Sequence, residues 1–163
     1  MKHTLTVLVE NQAGVLSKIS GLFSRRGFNI DSLAVGVTND PKLSRITIVA
    51  DGDDYVLEQL EKQLNKLIPV IKVKALEDGN YISRELSLIK VNCPAPKRPE
   101  LLKIAEMMHA KVCDVAASSI TIEFSDTTEK TEILLNLLKP YGIREIVKTG
   151  TVAIEKGTAG VNS

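Results

Sequence analysis

The stretch TLTVLVENQAGVLSKISGLFSRRGFNI, residues 4–30, changes its hydrophobic period part-way along, and that change decides the fold. Leu5, Val7 and Val9 alternate with Thr4, Thr6 and Leu8, which predicts a strand over Thr4–Glu10. Asn11-Gln12-Ala13-Gly14 is a polar turn. Val15, Leu16, Ile19, Leu22 and Phe23 then recur at helical spacing. Gly27 suits the left-handed cap that ends such a helix, and Phe28 to Val37 reads as a second strand.

Working outward, Asn39-Asp40-Pro41 marks a turn and Ser44 to Ala50 a third strand. Asp51 to Asp54 forms another turn that can supply an N-cap. The apolar stripe Val56, Leu57, Leu60, Leu64, Leu67 and Ile68 predicts a helix, with Glu58 and Lys62 as an i,i+4 pair and Pro69 as its stop. Val70 to Leu76 is a fourth strand. The order strand, helix, strand, strand, helix, strand is ferredoxin-like. A polar break at Glu77-Asp78-Gly79-Asn80 divides the chain into domains 1–77 and 78–163.

The same order recurs beyond the break. Arg84 to Asn92 reads as a strand, Pro94-Ala95-Pro96 as a stiff turn, and Pro99 as the first turn of a helix carrying Leu101, Ile104, Ala105 and Met108. Lys111 to Ala116 and Ser119 to Phe124 are predicted strands. Asp126 is placed as the cap of a helix bearing Ile133, Leu134, Leu137 and Leu138, which stops near Pro140 and Gly142. Ile143 to Lys148 and Thr151 to Ile154 are expected as two short strands, and Gly157 to Ser163 as a frayed end. The expected class is α+β, two ferredoxin-like βαββαβ domains in tandem. Each is small enough for a lone core to be marginal, so dimerisation or docking is expected.

Composition narrows the function. With 21 basic and 20 acidic residues the net charge is +1, which gives no electrostatic footprint for nucleic acid. No signal series or long apolar run suggests a membrane, so the expected location is the cytoplasm, or the plastid stroma after loss of a transit peptide. Cys93 and Cys113 lack metal-ligand spacing and read as buried thiols. His3 and His109 have no cysteine or carboxylate at motif spacing and read as structural or surface groups. Asp51, Asp53 and Asp54 fit a capping turn better than a calcium loop, so no metal site is expected. No nucleophile, zinc or nucleotide motif is present, and no catalytic residue is assigned.

Fold alone does not choose among functions. An RNA-binding module of this topology stacks bases on aromatic residues of its central strands, and Thr4–Glu10 and Ser44–Ala50 have none. An acylphosphatase-like enzyme would carry an arginine in the loop after its first strand, and the loop Glu10 to Gly14 carries no cation. That loop offers other chemistry. It opens a helix, whose free N–H groups and partial positive charge accept a carboxylate. Gly14 permits close approach to the backbone, and Asn11 supplies both a donor and an acceptor. The set suits a free amino acid, although a plain helix start needs the same residues. Asn29, beside Phe28 and Ile30, is a second candidate polar contact, or a turn-forming asparagine.

These residues carry a resemblance. Val9-Glu10-Asn11-Gln12-Ala13-Gly14-Val15-Leu16-Ser17 resembles the opening motif of an ACT domain. Residues 21–33, Leu43-Ser44-Arg45-Ile46-Thr47, residues 59–67 and Arg84-Glu85-Leu86 resemble the acetolactate synthase small-subunit family, as does Lys148-Thr149-Gly150, although an arginine is usual where Lys148 stands. The resemblance implies a regulatory subunit that is not itself catalytic. It implies a homodimer or larger homo-oligomer, formed through ACT domains, that binds valine or another branched-chain amino acid between chains. The implied effector residues are Asn11, Gly14 and Asn29, with the backbone near Ala13, Val15 and Ile30. The implied partner is a catalytic large subunit that holds thiamine diphosphate, magnesium and FAD, this chain carrying no cofactor. The alternative is a freestanding amino-acid sensor or regulator built on the same domain.

Overall fold

The computed structural model describes residues 1–161. The chain forms two compact units, Met1–Ile82 together with the residues from Thr151 onward, and Ser83–Gly150.

The first unit contains β1 (Lys2–Glu10), α1 (Val15–Arg26), β2 (Asn29–Val37), β3 (Leu43–Asp51), α2 (Asp54–Asn65) and β4 (Val70–Leu76). Its antiparallel sheet has the order β2-β3-β1-β4, the ferredoxin-like arrangement. β1 and β3 pair so that Leu5 meets Ile48 and Val7 meets Ile46. These residues share one face with Val9 and Ala50, and Ile19, Leu22, Phe23, Leu60 and Leu64 from the helices close over them. Burying each such large side chain contributes about 1.5–3 kcal/mol before entropy is counted. Gly27, at φ 68°, caps α1 with its N–H on Phe23 O, and Asp53 caps α2 by accepting from Val56 N at 2.9 Å. The Glu58–Lys62 pair forms at 2.9 Å. α2 stops at Asn65, a turn before the expected end, because Pro69 disfavours the helical conformation at Ile68. Ile68 is left 92% exposed.

The other face of this sheet is closed as well. Thr4, Thr6, Leu8 and Thr47 point away from the helices, yet all four are buried. Tyr81 and the residues beyond Thr151 cover them. Thr4 Oγ1 meets Tyr81 Oη at 3.3 Å, Arg45 donates to Ala153 O at 2.9 Å, and Lys74 lies 2.6 Å from Glu155 Oε2. This last contact is an ion pair too poorly aligned to count as a hydrogen bond. Burial lowers the pKa of the Arg45 guanidinium from its usual value. Lys156 N donates to Asn80 O at 2.9 Å, and Val161 is 7% exposed. The end of the chain, assigned from sequence to domain 78–163 and expected to fray from Gly157, therefore completes the first unit as far as Val161. Asn162 and Ser163 lie outside the described residues.

The second unit takes most of β5 (Tyr81–Asn92), α3 (Arg98–Met107), β6 (Lys111–Val115), β7 (Ser119–Asp126), α4 (Thr128–Leu138) and the first part of β8 (Ile143–Glu155). Its sheet order is β6-β7-β5-β8. Ile89, Val91, Ile120, Ile122 and Phe124 pack beneath Leu101, Ala105, Leu134 and Leu138. Three expectations change here. β7 runs to Asp126, so the cap of α4 moves one residue on: Thr127 Oγ1 accepts from Lys130 N, while Asp126 accepts from Thr127 N at 2.7 Å. The two short terminal strands are one strand, interrupted in conformation by Gly150 at φ 83°. Cys93 is buried, but Cys113 is exposed, because β6 is an edge strand and the pairing shifts between Val112 and Asp114, leaving Cys113 as the extra residue. His3 meets Gly52 O at 3.0 Å, and His109 sits in the left-handed region just beyond α3, at φ 57°.

Glu155→Ala is expected to lower stability by about 1–3 kcal/mol in urea unfolding, since it removes the carboxylate partner of a mostly buried Lys74 and leaves it the longer bond to Gly160 O at 3.4 Å. Glu58→Ala, which breaks a fully solvated pair, is expected to leave the midpoint unchanged.

Candidate functional site

Glu10 ends β1, and the loop from Asn11 to Gly14 leads straight into α1. Two bonds to the turn between β2 and β3 hold Asn11: its backbone N–H donates to Lys42 O at 2.7 Å and its Nδ2 to Pro41 O at 2.9 Å. One of the two Nδ2 hydrogens is used in this way, which leaves Asn11 a second donor and the Oδ1 acceptor. Gln12 Nε2 turns back to Glu10 Oε2 at 2.8 Å. Gly14 stands at the N-cap with φ 86°, and no side chain caps the helix. Lys18 N makes the first helical bond, to Gly14 O at 3.0 Å. The N–H groups of Val15, Leu16 and Ser17 precede it and point out of the helix end, where the partial positive charge is concentrated. Val15 buries its side chain in the core, so only its backbone serves the loop.

Of the predicted site residues, Asn11, Ala13, Gly14 and Val15 come together at this loop. Asn29 and Ile30 do not join them within one chain. Asn29 pairs with Asp51, which pairs with Lys2 on its other side, whereas Glu10 pairs with Leu43. The separation along the sheet is therefore the eight-residue length from Lys2 to Glu10, roughly 26 Å at 3.3 Å per residue. No single small ligand spans that. Ile30 packs against the core beside Ala50, leaving its backbone as the part a ligand could reach.

Asn29 instead opens onto a cavity of about 370 Å³ between the end of α1 and one face of α2. Arg26, Phe28, Asp51, Tyr55 and Gln59 line it with Asn29. Arg26 donates to Gln63 Oε1 at 3.2 Å, and the terminal amine 3.0 Å from Asp51 holds that carboxyl below its usual pKa. Sequence reasoning did not gather this set, because its members become neighbours only when α2 packs beside α1. Asn29 also begins β2, an edge strand of its sheet, on which Val35 and Val37 are 49% and 59% exposed. Such an edge presents unpaired backbone groups and apolar side chains together.

Among the described residues no group of three or more His, Cys, Asp or Glu side chains could hold a metal ion, and no helix is long and apolar enough to cross a membrane.

Residues 5–72 match the family described as AHAS small subunit-like ACT domain, and residues 84–157 match that described as small subunit of acetolactate synthase. The acetolactate synthase small subunit of Mycolicibacterium smegmatis is 52% identical over 161 residues, covering 99% of this chain and 95% of that protein. The probable acetolactate synthase small subunit of Archaeoglobus fulgidus is 48% identical over 157 residues, covering 96% and 98%. The crystal structure of the acetolactate synthase small subunit from Thermotoga maritima matches with a TM-score of 0.91 at 38% identity, covering 98% of this chain and 99% of that one. The chain belongs to the acetolactate synthase small-subunit family.

Gly14→Ala is expected to lower stability by about 1 kcal/mol in thermal unfolding. The added methyl meets nothing, but the left-handed backbone resists it. Gly36, equally open but with no positive φ, is expected to accept alanine without loss.

Proposed function

We propose that this member of the acetolactate synthase small-subunit family is the regulatory subunit that binds and activates the catalytic subunit and transmits feedback inhibition by valine bound between two of its own chains. The observation that carries this reading is the division of the candidate site into two halves. A helix start with no side-chain cap, flanked by Asn11, lies at one end of the sheet, and Asn29 lies at the other.

A second chain reunites them. β1 and β2 are both antiparallel to β3, so they run the same way, and Asn11 lies near the end of the sheet where β2 finishes at Val37. Pairing two β2 edges antiparallel about a twofold axis lays Asn29 of one protomer beside the Val37 end of its partner. That end adjoins the Pro41–Lys42 turn to which Asn11 is tied. The pairing also covers the exposed Val35 and Val37. A free amino acid then finds complementary groups from both chains. Its carboxylate meets the N–H groups at Ala13 to Val15 of one chain. Its ammonium meets the amide oxygens of Asn11 and of the other chain's Asn29. Its aliphatic side chain packs on apolar residues of the joined edges. One methylene in such a pocket is worth about 1–3 kcal/mol, which sets how well valine is told from leucine and isoleucine.

The chain acts on the reaction through its partner. Thiamine diphosphate, magnesium and FAD belong on this reading to the catalytic subunit, and this chain contributes only the state it selects there. A coupling of about 1–3 kcal/mol suffices, provided valine prefers one state of the complex over the other.

Heats of binding for valine test the proposal. The unmodified chain is expected to bind saturably, and Asn11→Ala and Asn29→Ala each to bind at least about tenfold more weakly, the 1.4 kcal/mol equivalent of one lost polar contact. Mixing the two variants is expected to restore one intact site per mixed dimer. If the mixture stays as weak as its components, the two asparagines do not share a site across chains. If valine leaves the activity of the reconstituted complex unchanged, the feedback role is wrong.

A further inference from the structure

The chain leaves its first compact unit after Ile82 and returns to it at Thr151. The return falls inside β8 at Gly150, whose φ of 83° breaks the regular backbone. On each side of Gly150 a side-chain hydroxyl takes a backbone N–H. Leu86 N donates to Thr149 Oγ1 at 3.1 Å, and Thr151 N donates to Ser32 Oγ at 2.8 Å. Leu86, Thr149 and Gly150 lie in the two stretches Arg84-Glu85-Leu86 and Lys148-Thr149-Gly150, which neither hydrophobic core nor the effector site employs.

Ser32 stands three residues after Asn29 on β2, with an irregularity in between. The pairing of β2 with β3 shifts between Ile30 and Ser32, leaving Asp31 as the extra residue, and Asp31 is ion-paired with Lys2. A bulge of this kind re-aims the side chains beside it. Ser32 pairs with Val49, on the sheet face away from the helices, where it meets Thr151. Thr151 is buried, so its N–H has no ready replacement for that acceptor.

We propose that Ser32 is a positioning residue that links occupancy at Asn29 to the chain's return at Gly150–Thr151, and so couples the effector to the rest of the subunit. The proposal rests on the effector reading given above. Residues 29–32 are short and held to β3 at both ends, so a ligand that draws on Asn29 reorients the bulge, and Ser32 moves with it. The Ser32–Thr151 bond then has two states, made or broken. β8 continues from Thr151 back toward Gly150 and Ile143, which gives the change a path along one strand. The ligand shifts the balance only to the extent that it favours one state.

Ser32→Ala and Ser32→Thr, each reconstituted with the catalytic subunit, supply the test. Valine binding is measured on the free chain by calorimetry, and valine inhibition on the complex. Ser32→Ala is expected to bind valine within about threefold of the unmodified chain and to support the same valine-free activity. Its coupling, the ratio of valine affinity in the complex to that in the free chain, is expected to fall at least fivefold toward unity, from a starting value in the usual range of about 5–150. Ser32→Thr, which keeps the hydroxyl, is expected to restore it. Undiminished inhibition of the Ser32→Ala complex at the same valine concentration would overturn the proposal. So would loss of valine binding by the free Ser32→Ala chain, which would make Ser32 part of the site itself. If the unmodified chain binds no valine either alone or in the complex, the effector reading falls and this inference with it. That failure shows in the unmodified protein and is separate from the other two.

Discussion

Every side chain of β1 from Thr4 to Val9 is buried, and a central strand shut off on both faces governs how the rest of the first unit must be built. Leu5, Val7 and Val9 require helices over one face, and α1 and α2 supply them. Thr4, Thr6 and Leu8 require a cover on the other, where hydroxyls as well as methyl groups must be accommodated. A second helical layer would match that face poorly. An extended segment carrying its own polar groups fits better, and Ala153, Glu155 and Lys156 bring bonds of their own to Arg45, Lys74 and Asn80.

Where hydrophobic period and burial agree, the sequence is readable. The two repeats, the cap at Gly27 and a cap within the turn Asp51 to Asp54 follow from local chemistry, and the helix-facing halves of both cores follow from alternation. The reading fails where a contact distant in sequence overrides a local pattern. Thr4 and Thr6 look like the wet side of a half-buried strand, and only Tyr81 and residues about 150 positions later make them interior. Cys113 looks like an ordinary buried thiol until a one-residue shift in an edge strand turns it out. Gly150 reads as a gap between two strands, whereas a single glycine can change the course of one strand without ending it.

The candidate site divides in the same way. The loop Asn11–Gly14 is a local object, and its role as a helix start with open N–H groups is visible from residue types alone. The placing of Asn29 is not. Its distance from Asn11 depends on strand order and register, which no spacing in the sequence encodes. Under the proposed pairing of two β2 edges, the same register would bring Asn11 of one chain toward Asn29 of the other. The exposed valines of β2 point to the same surface on independent grounds.

The residues that close the far face of the first sheet have a bearing on synthesis. The strands of that sheet are synthesised by residue 76, but apart from Tyr81 their cover begins at Thr151. At roughly 5–20 residues per second, about 4–15 s pass with Thr6 and Leu8 uncovered. The unit made first thus waits for its cover, and the nascent subunit is most prone to mispairing while the residues from Thr151 onward are still being translated. A fusion or a premature stop at the C-terminus would act on the amino-terminal unit, some 75 residues of chain away from where the damage was done.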